Sequence, residues 1–167
     1  MIEFQKPQLT DKPWVDELLR RADYRGCEYN FTNLFAWSDA YDQRIARVGD
    51  FLVTRLRGAL GYSYIYPAGA GDITPVLSAM EADAAERGVP FRLVCLTQPQ
   101  TQALDARFPG RFTFQADRDG FDYLYDIDRL ADLGGKKLHA KRNHINRFVE
   151  NNPSWMYVDI SPVTLPE

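Results

Sequence analysis

The spacing of apolar and polar positions changes several times along the chain, and each change marks an element. "MIEFQ" alternates and predicts a short first strand. In "TDKPWVDELLRRA", Trp14, Leu18 and Ala22 recur at helical spacing, Pro13 suits a first turn, and Thr10 or Asp11 stands where a cap belongs. "NFTNLFAWSDAY" reads as a second, shorter helix capped by Asn30 or Thr32, with Phe31, Leu34, Phe35 and Trp37 as its apolar positions. The period then falls to two. "QRIARV" and "FLVTRLRG" flank Gly49-Asp50, a hairpin signal. "YSYIYPAG" is a third strand with Pro67 as its stop, and Asp72 caps a long helix, "ITPVLSAMEADAAERG", that Gly88 ends. "PFRLVCL" has the apolar run of a buried strand, and "PQTQALDARFPG" is a short helix with a Pro-Gly stop. "RFTFQADR" and "FDYLYDI" predict two further strands, "DRLADLGG" one or two helical turns, and "SWMYVDI" a closing strand. Between the last two lies a basic helix, "KKLHAKRNHINRF".

The predicted order, β-α-α-β-β-β-α-β-α-β-β-α-β, defines an α+β domain. Three antiparallel strands leading into a helix and a central strand resemble the GNAT-like order, a mixed, mostly antiparallel sheet flanked by helices. Residues 1–160 read as one such domain. Residues 161–167, with Pro162 and Pro166, read as the start of a linker. No repeat or low-complexity tract interrupts this organisation.

Composition narrows the class. With 45% hydrophobic residues the chain is globular rather than disordered. Its first residues carry charges and no apolar core of a signal peptide, and no run approaches the roughly 18 apolar residues of a membrane span. A cytoplasmic protein is expected, one that can still sit peripherally on the inner face of a membrane. Net charge is -3, yet residues 134–150 hold five Lys/Arg against one acid. The global charge predicts no affinity for nucleic acid or membrane, whereas that one segment does. Cys27 and Cys95 lie far apart outside any CxxC pattern and read as two reduced structural thiols; a disulfide would require that they meet in space.

Most catalytic motifs are missing. There is no GxSxG, HExxH or P-loop. An acyl-CoA loop of the R/Q-x-x-G-x-G/A kind is approached only by "RLRGAL" at Arg55–Leu60, which ends in Leu and reads as a hairpin connection. "PAGAGD" reads as a turn leading to the Asp72 cap, and Asp72 would repel a phosphate there. No cofactor is therefore expected. His139 and His144 are five apart, not the four that would put two ligands on one helix side, and no metal site is expected. Asp117, Asp119, Asp122, Asp126 and Asp128 match no calcium loop and read as a solvated stretch in which Asp122 or Asp126 could pair with the basic helix.

On a helical wheel, Leu138, Ile145, Phe148 and Val149 share one apolar arc, with Lys136, Asn143 and Arg147 opposite and Lys137 and His144 on one flank. Lys141 and Arg142 fall within the span of the apolar arc. Two accounts stay open. Both side chains can snorkel or pair with acids, or both can project into a cleft and hold an anion.

The run "LADLGGKKLHAKRNHINRF", preceded by "FDYLYDI", resembles the signature of the family named for the C-terminal domain of phosphatidylglycerol lysyltransferase; "NFTNLFAWSDAY" and "YIYPAG" fit its general pattern. The resemblance covers nearly the whole chain. It implies GNAT-like domains, normally two in tandem, akin to the Fem-type aminoacyltransferases. It implies movement of an amino acid from aminoacyl-tRNA to a lipid head group or cell-wall precursor. By position Lys136, Lys137, Lys141, Arg142, Asn143, His144 and Arg147 match the family's basic run, an expected anion- or substrate-binding set. The implied partners are aminoacyl-tRNA, an anionic lipid or cell-wall precursor, and a second GNAT-like domain that lies outside these 167 residues. The transfer site is expected at or beyond the domain interface, so this chain alone is expected to be inactive and its catalytic residues are unassigned. His139 or His144 could act as a base by type, but neither has an orienting partner in the sequence. A non-catalytic module holding RNA or an anionic lipid surface is the alternative. Phe148 is the only aromatic in the basic run and lies on its apolar side, which argues against base stacking. An ordinary acetyltransferase is disfavoured by the missing loop.

Overall fold

Successive residues of "FLV" at 51–53 take opposite destinations, and this alternation organises the first part of the fold. A computed structural model describes residues 1–161, 163 and 164. It divides into two compact units, Met1–Asp122 and Tyr123–Glu167. The prolines of the expected linker, Pro162 and Pro166, lie outside the described residues.

In the first unit, α1 (Lys12–Ala22) and α2 (Phe31–Ala36) precede β1 (Arg44–Val48), β2 (Phe51–Gly58) and β3 (Gly61–Gly69). Then come α3 (Thr74–Glu86), β4 (Leu93–Val94) and α4 (Gln98–Arg107). The four strands form one mixed sheet in the order β1-β2-β3-β4, antiparallel through β3 and parallel between β3 and β4. Helices cover both faces. Leu52, Ile45 and Ile65 pack with Val15, Leu18, Phe31 and Leu34, while Phe51, Val53, Tyr64 and Tyr66 pack with Val76, Leu77, Met80 and Leu104. A sheet covered twice explains why β2 and β3 are buried over consecutive residues.

Local chemistry fixes the ends of these elements. Asp11, itself buried, accepts from Gln5 Nε2 and the Gln8 N–H, each at 2.8 Å, and from Trp14 Nε1 at 3.1 Å, so one carboxylate ties the first residues to the start of α1. The Asn30 side chain caps α2 by accepting the Asn33 N–H at 2.8 Å. Asp72 accepts the Thr74 N–H ahead of α3. "RLRGAL" is the expected hairpin connection, with Gly58 opposite Gly61.

Several expected strands are corrected. "MIEFQ" contributes a single bridge, Gln5 to Ile45, not a strand. Pro67 does not stop β3 but lies buried inside it. The β2–β3 register shifts between Leu52 and Thr54, and the extra residue on β3 creates an irregularity where a missing N–H is tolerated. "PFRLVCL" pairs over only two residues. "RFTFQADR", "FDYLYDI" and "SWMYVDI" form no strand. Alternating side chains do not make a strand without a neighbour for the backbone groups; Tyr123 and Leu124 stand 86% and 92% exposed. The second unit consists of α5 (Ile127–Asp132), a 3₁₀ turn at Lys136–Leu138 and α6 (His139–Asn151). Phe148 of α6 meets Trp155 edge-on at 6.0 Å.

The first unit buries one carboxylate completely. Asp83 of α3 has no exposure; it accepts from Tyr64 Oη at 2.7 Å and from Arg87 Nε at 2.8 Å and Nη2 at 3.2 Å. Burial alone would raise its pKa, but the bonds from Arg87 and Tyr64 outweigh that and hold it below the usual carboxylate range. Burial, and then the same bond, push the Tyr64 phenol up. Because the folded pKa of Asp83 is depressed, its contribution is complete above the unfolded value, about 3.9, and is lost as pH falls through the folded value. Asp83→Asn is expected to cost about 3–5 kcal/mol in urea unfolding near pH 7. The gap to the native protein should narrow as the pH is lowered below about 4. At Gly69, an added Cβ would stand 2.1 Å from the Asp50 carbonyl oxygen. Gly69→Ala is therefore expected to lower the unfolding midpoint, with a loss of roughly 1–3 kcal/mol of stability.

Candidate functional site

Each unit holds a place of interest. In the second, Asp126 caps α5 by accepting the Arg129 N–H at 3.0 Å, and Leu133 closes that helix in a left-handed conformation. The guanidinium of Arg142 donates to the Leu133 carbonyl and, at 3.1 Å, to the Gly135 carbonyl. Arg142 thus braces the turn that delivers the chain into the basic segment. Its Nη2 also lies 3.4 Å from His139 Nδ1, and Asn143 Nδ2 lies 3.3 Å from His139 Nε2. A neutral imidazole can accept at one nitrogen only. His139 is therefore flanked by donors, one of them cationic, rather than by the carboxylate that would orient a general base.

Lys136, Lys137, Lys141, Asn143, His144 and Arg147 are all exposed. Among the described residues, the three lysines and Arg147 form no ion pair. The expected pairing of Asp122 or Asp126 with a cation is likewise not seen among them: Asp126 serves as a cap, and Asp122 accepts from the Cys27 N–H at 3.4 Å. Ile145, Phe148 and Val149 of the apolar arc are between 41% and 52% exposed.

The second place was not visible in the sequence. β3 and β4 pair at Tyr64–Leu93 and Ile65–Val94 and then part. The next carbonyls, of Tyr66 and Cys95, are bridged by the Tyr29 hydroxyl at 3.3 Å and 3.2 Å. Tyr24 stands edge-on to Tyr29 at 5.2 Å and tilted against Tyr66 at 5.8 Å. Burial raises the pKa of all three phenols, that of Tyr66 to about 12, so each is neutral near pH 7. Gln100, which is buried, spends its carbonyl on the Thr97 N–H and hydroxyl; among the described residues its amide nitrogen has no hydrogen-bond partner. Beside the tyrosines a hollow of ≈ 430 Å³ opens, lined in part by Phe51, Gly69, Leu104 and Arg107. The crevice beyond the carboxyl ends of parallel strands is the usual ligand position in sheets of this kind. No local motif announces it, because Tyr29 reaches residues 37 and 66 positions away.

These elements place the chain in a class, a mixed-sheet α+β domain followed by a basic helical segment. It belongs to the family of the phosphatidylglycerol lysyltransferase C-terminal domain, whose model matches residues 19–167. A crystal structure of a conserved protein of unknown function from Bacteroides thetaiotaomicron VPI-5482 is 36% identical, with a TM-score of 0.85 over 98% of this chain and 55% of that one. The chain thus spans about half the length of that solved protein. A search of curated proteins finds no match. Among the described residues, no helix is long and apolar enough to cross a membrane.

Tyr29→Phe removes the hydroxyl that donates at the parting of β3 and β4. It is expected to destabilise the protein by about 1–2 kcal/mol in urea unfolding, since buried carbonyls lose a partner. Arg142→Gln should lower the helical content of the 127–151 segment, read by circular dichroism of the full chain, while Lys141→Gln leaves it unchanged.

Proposed function

We propose that this chain is the N-terminal half of an aminoacyltransferase resembling phosphatidylglycerol lysyltransferase. In this reading the enzyme moves an amino acid from aminoacyl-tRNA to a lipid or cell-wall acceptor, at the cytoplasmic face of the membrane. The observation that carries the reading is the exposed cationic run of Lys136, Lys137, Lys141 and Arg147 in a chain of this family. Polyphosphate and carboxylate ligands suit such a run, and lysines bind them as point charges. Arg142 acts here by holding the turn before the run, through Leu133 and Gly135, so its contribution is to positioning.

The sheet, antiparallel through β3 and then parallel at β4, supports assignment to the GNAT-like group. A second GNAT-like domain completes the proposed enzyme. Two observations support it: the solved relative is about twice as long, and Leu124, Ile127, Tyr157 and Ile160 are each 79–92% exposed in the second unit. Apolar side chains in such number are usually covered by a partner. Transfer itself joins an activated ester to an amine or hydroxyl, where positioning and stabilisation of the oxyanion supply most of the rate. This half is assigned the binding share of that work and not the bond-making share.

The test is transfer of a labelled amino acid from charged tRNA by the protein encoded by the complete reading frame. Lys137→Glu, Lys141→Glu and Arg147→Glu together should reduce transfer by at least tenfold while leaving the unfolding midpoint unchanged. Full activity of the triple variant would overturn the assignment of the run. Salt-sensitive tRNA binding with no transfer by the complete protein would favour a non-catalytic anion-binding module instead.

A further inference from the structure

Three stretches distant in sequence bring together a set of donor atoms that the proposed transfer does not use. The Cys27 Sγ, a Glu28 carboxylate oxygen and an Asp122 carboxylate oxygen all lie within 4.8 Å of one another. Cys95, which follows β4, supplies a second thiol that interacts with Glu28 but stands outside that 4.8 Å group. Both cysteines are free thiols. The loop that holds Cys27 is braced, because the Cys27 carbonyl accepts from both Asn30 Nδ2 and Asn33 Nδ2 at 2.7 Å and its N–H faces Asp122.

What the group lacks is a positive charge. Neither Glu28 nor Asp122 forms an ion pair among the described residues. Burial, followed by the charges of Glu28 and Asp122, pushes the Cys27 thiol up to about 11, and burial with the same carboxylates takes Cys95 to about 12. An arrangement of thiols and carboxylates that oppose one another's negative charge is relieved by a cation placed at its centre, since a bound divalent ion deprotonates coordinating thiols outright.

We propose that Cys27, Glu28 and Asp122, with the neighbouring Cys95 drawn in as fourth donor, form a binding site for a divalent cation of the zinc class. Two thiolates and two carboxylate oxygens suit that ion's borderline softness and its four-coordinate preference, whereas calcium and magnesium take oxygen donors. Binding exchanges two S–H bonds for two metal–sulfur bonds, releases two protons to solvent and leaves the metal's oxidation state unchanged. The site staples the loop between α1 and α2 to the end of β4 and to Asp122 at the close of the first unit.

The experiment uses the full chain, reduced and freed of metal with a chelator, then titrated with cobalt(II). One cobalt per chain is expected, with thiolate-to-cobalt charge-transfer absorption, tetrahedral visible bands, displacement by zinc and release of two protons. Cys27→Ser, Cys95→Ser and Asp122→Asn should each weaken binding at least tenfold, and the exposed Glu3→Gln should not. Zinc should also raise the thermal midpoint of the native chain in proportion to the logarithm of its concentration once the site is saturated. Cys27 and Asp122 are exposed, so their variants test the site without disturbing the core. Absence of saturable cobalt uptake would overturn the proposal. So would uptake without charge-transfer absorption, or uptake unchanged in both serine variants. A Cys27–Cys95 disulfide in unreduced protein, with no cobalt uptake after reduction, would assign the pair to redox chemistry and overturn it equally.

Discussion

Asp83 has no access to water, and the arrangement of the first unit depends on keeping its charge satisfied. Its oxygens are held by Tyr64 of the central strand and by Arg87 at the end of its own helix. Arg55, buried over the rings of Phe4 and Tyr62, adds a second positive charge nearby. A buried carboxylate without such partners costs several kcal/mol, so β3 and α3 can meet in only one register. β3 is also the strand with neighbours of both kinds, antiparallel β2 and parallel β4. The place where β3 and β4 part, bridged by Tyr29, follows from where Tyr64 is anchored. So does the position of Cys95 beside Glu28.

Much of this frame was legible in the sequence. The hairpin about Gly49-Asp50, the Asn30 cap of α2 and the basic helix all rest on local patterns of a few residues. Local patterns carry the physics of caps and turns, and these elements formed, although α2 is shorter than read and α3 is capped at Ile73 rather than Asp72. The failures share a cause. "RFTFQADR", "FDYLYDI" and "SWMYVDI" have the alternation of strands, but alternation describes side chains, whereas a strand is defined by its backbone partner. Pro67 was misread for a related reason: a proline ends a strand only where its missing N–H is needed, and the register shift at Leu52/Thr54 removes that need.

The candidate sites divide in the same way. A contiguous cationic run is visible in composition, and six of its seven named residues stand exposed. Arg142 differs from the other six because its partners are backbone carbonyls, which no residue pattern displays. The tyrosine cluster and the Cys27–Glu28–Cys95–Asp122 group were hidden. Each is assembled from residues tens of positions apart, and the two cysteines taken singly had read as inert. Membership of the lysyltransferase C-terminal family fits the basic run, while the tyrosine bridge and the thiol-carboxylate group belong to the fold of the first unit.

The central functional claim is electrostatic: cations at 136–147 contact phosphate. The most direct measurement is the salt dependence of tRNA affinity for this chain and for its Lys141→Gln variant. If Lys141 contacts a phosphate, affinity falls linearly on a log–log plot against salt, and the variant's slope is shallower by about 1. An affinity indifferent to salt, or identical slopes for the two proteins, would contradict the account.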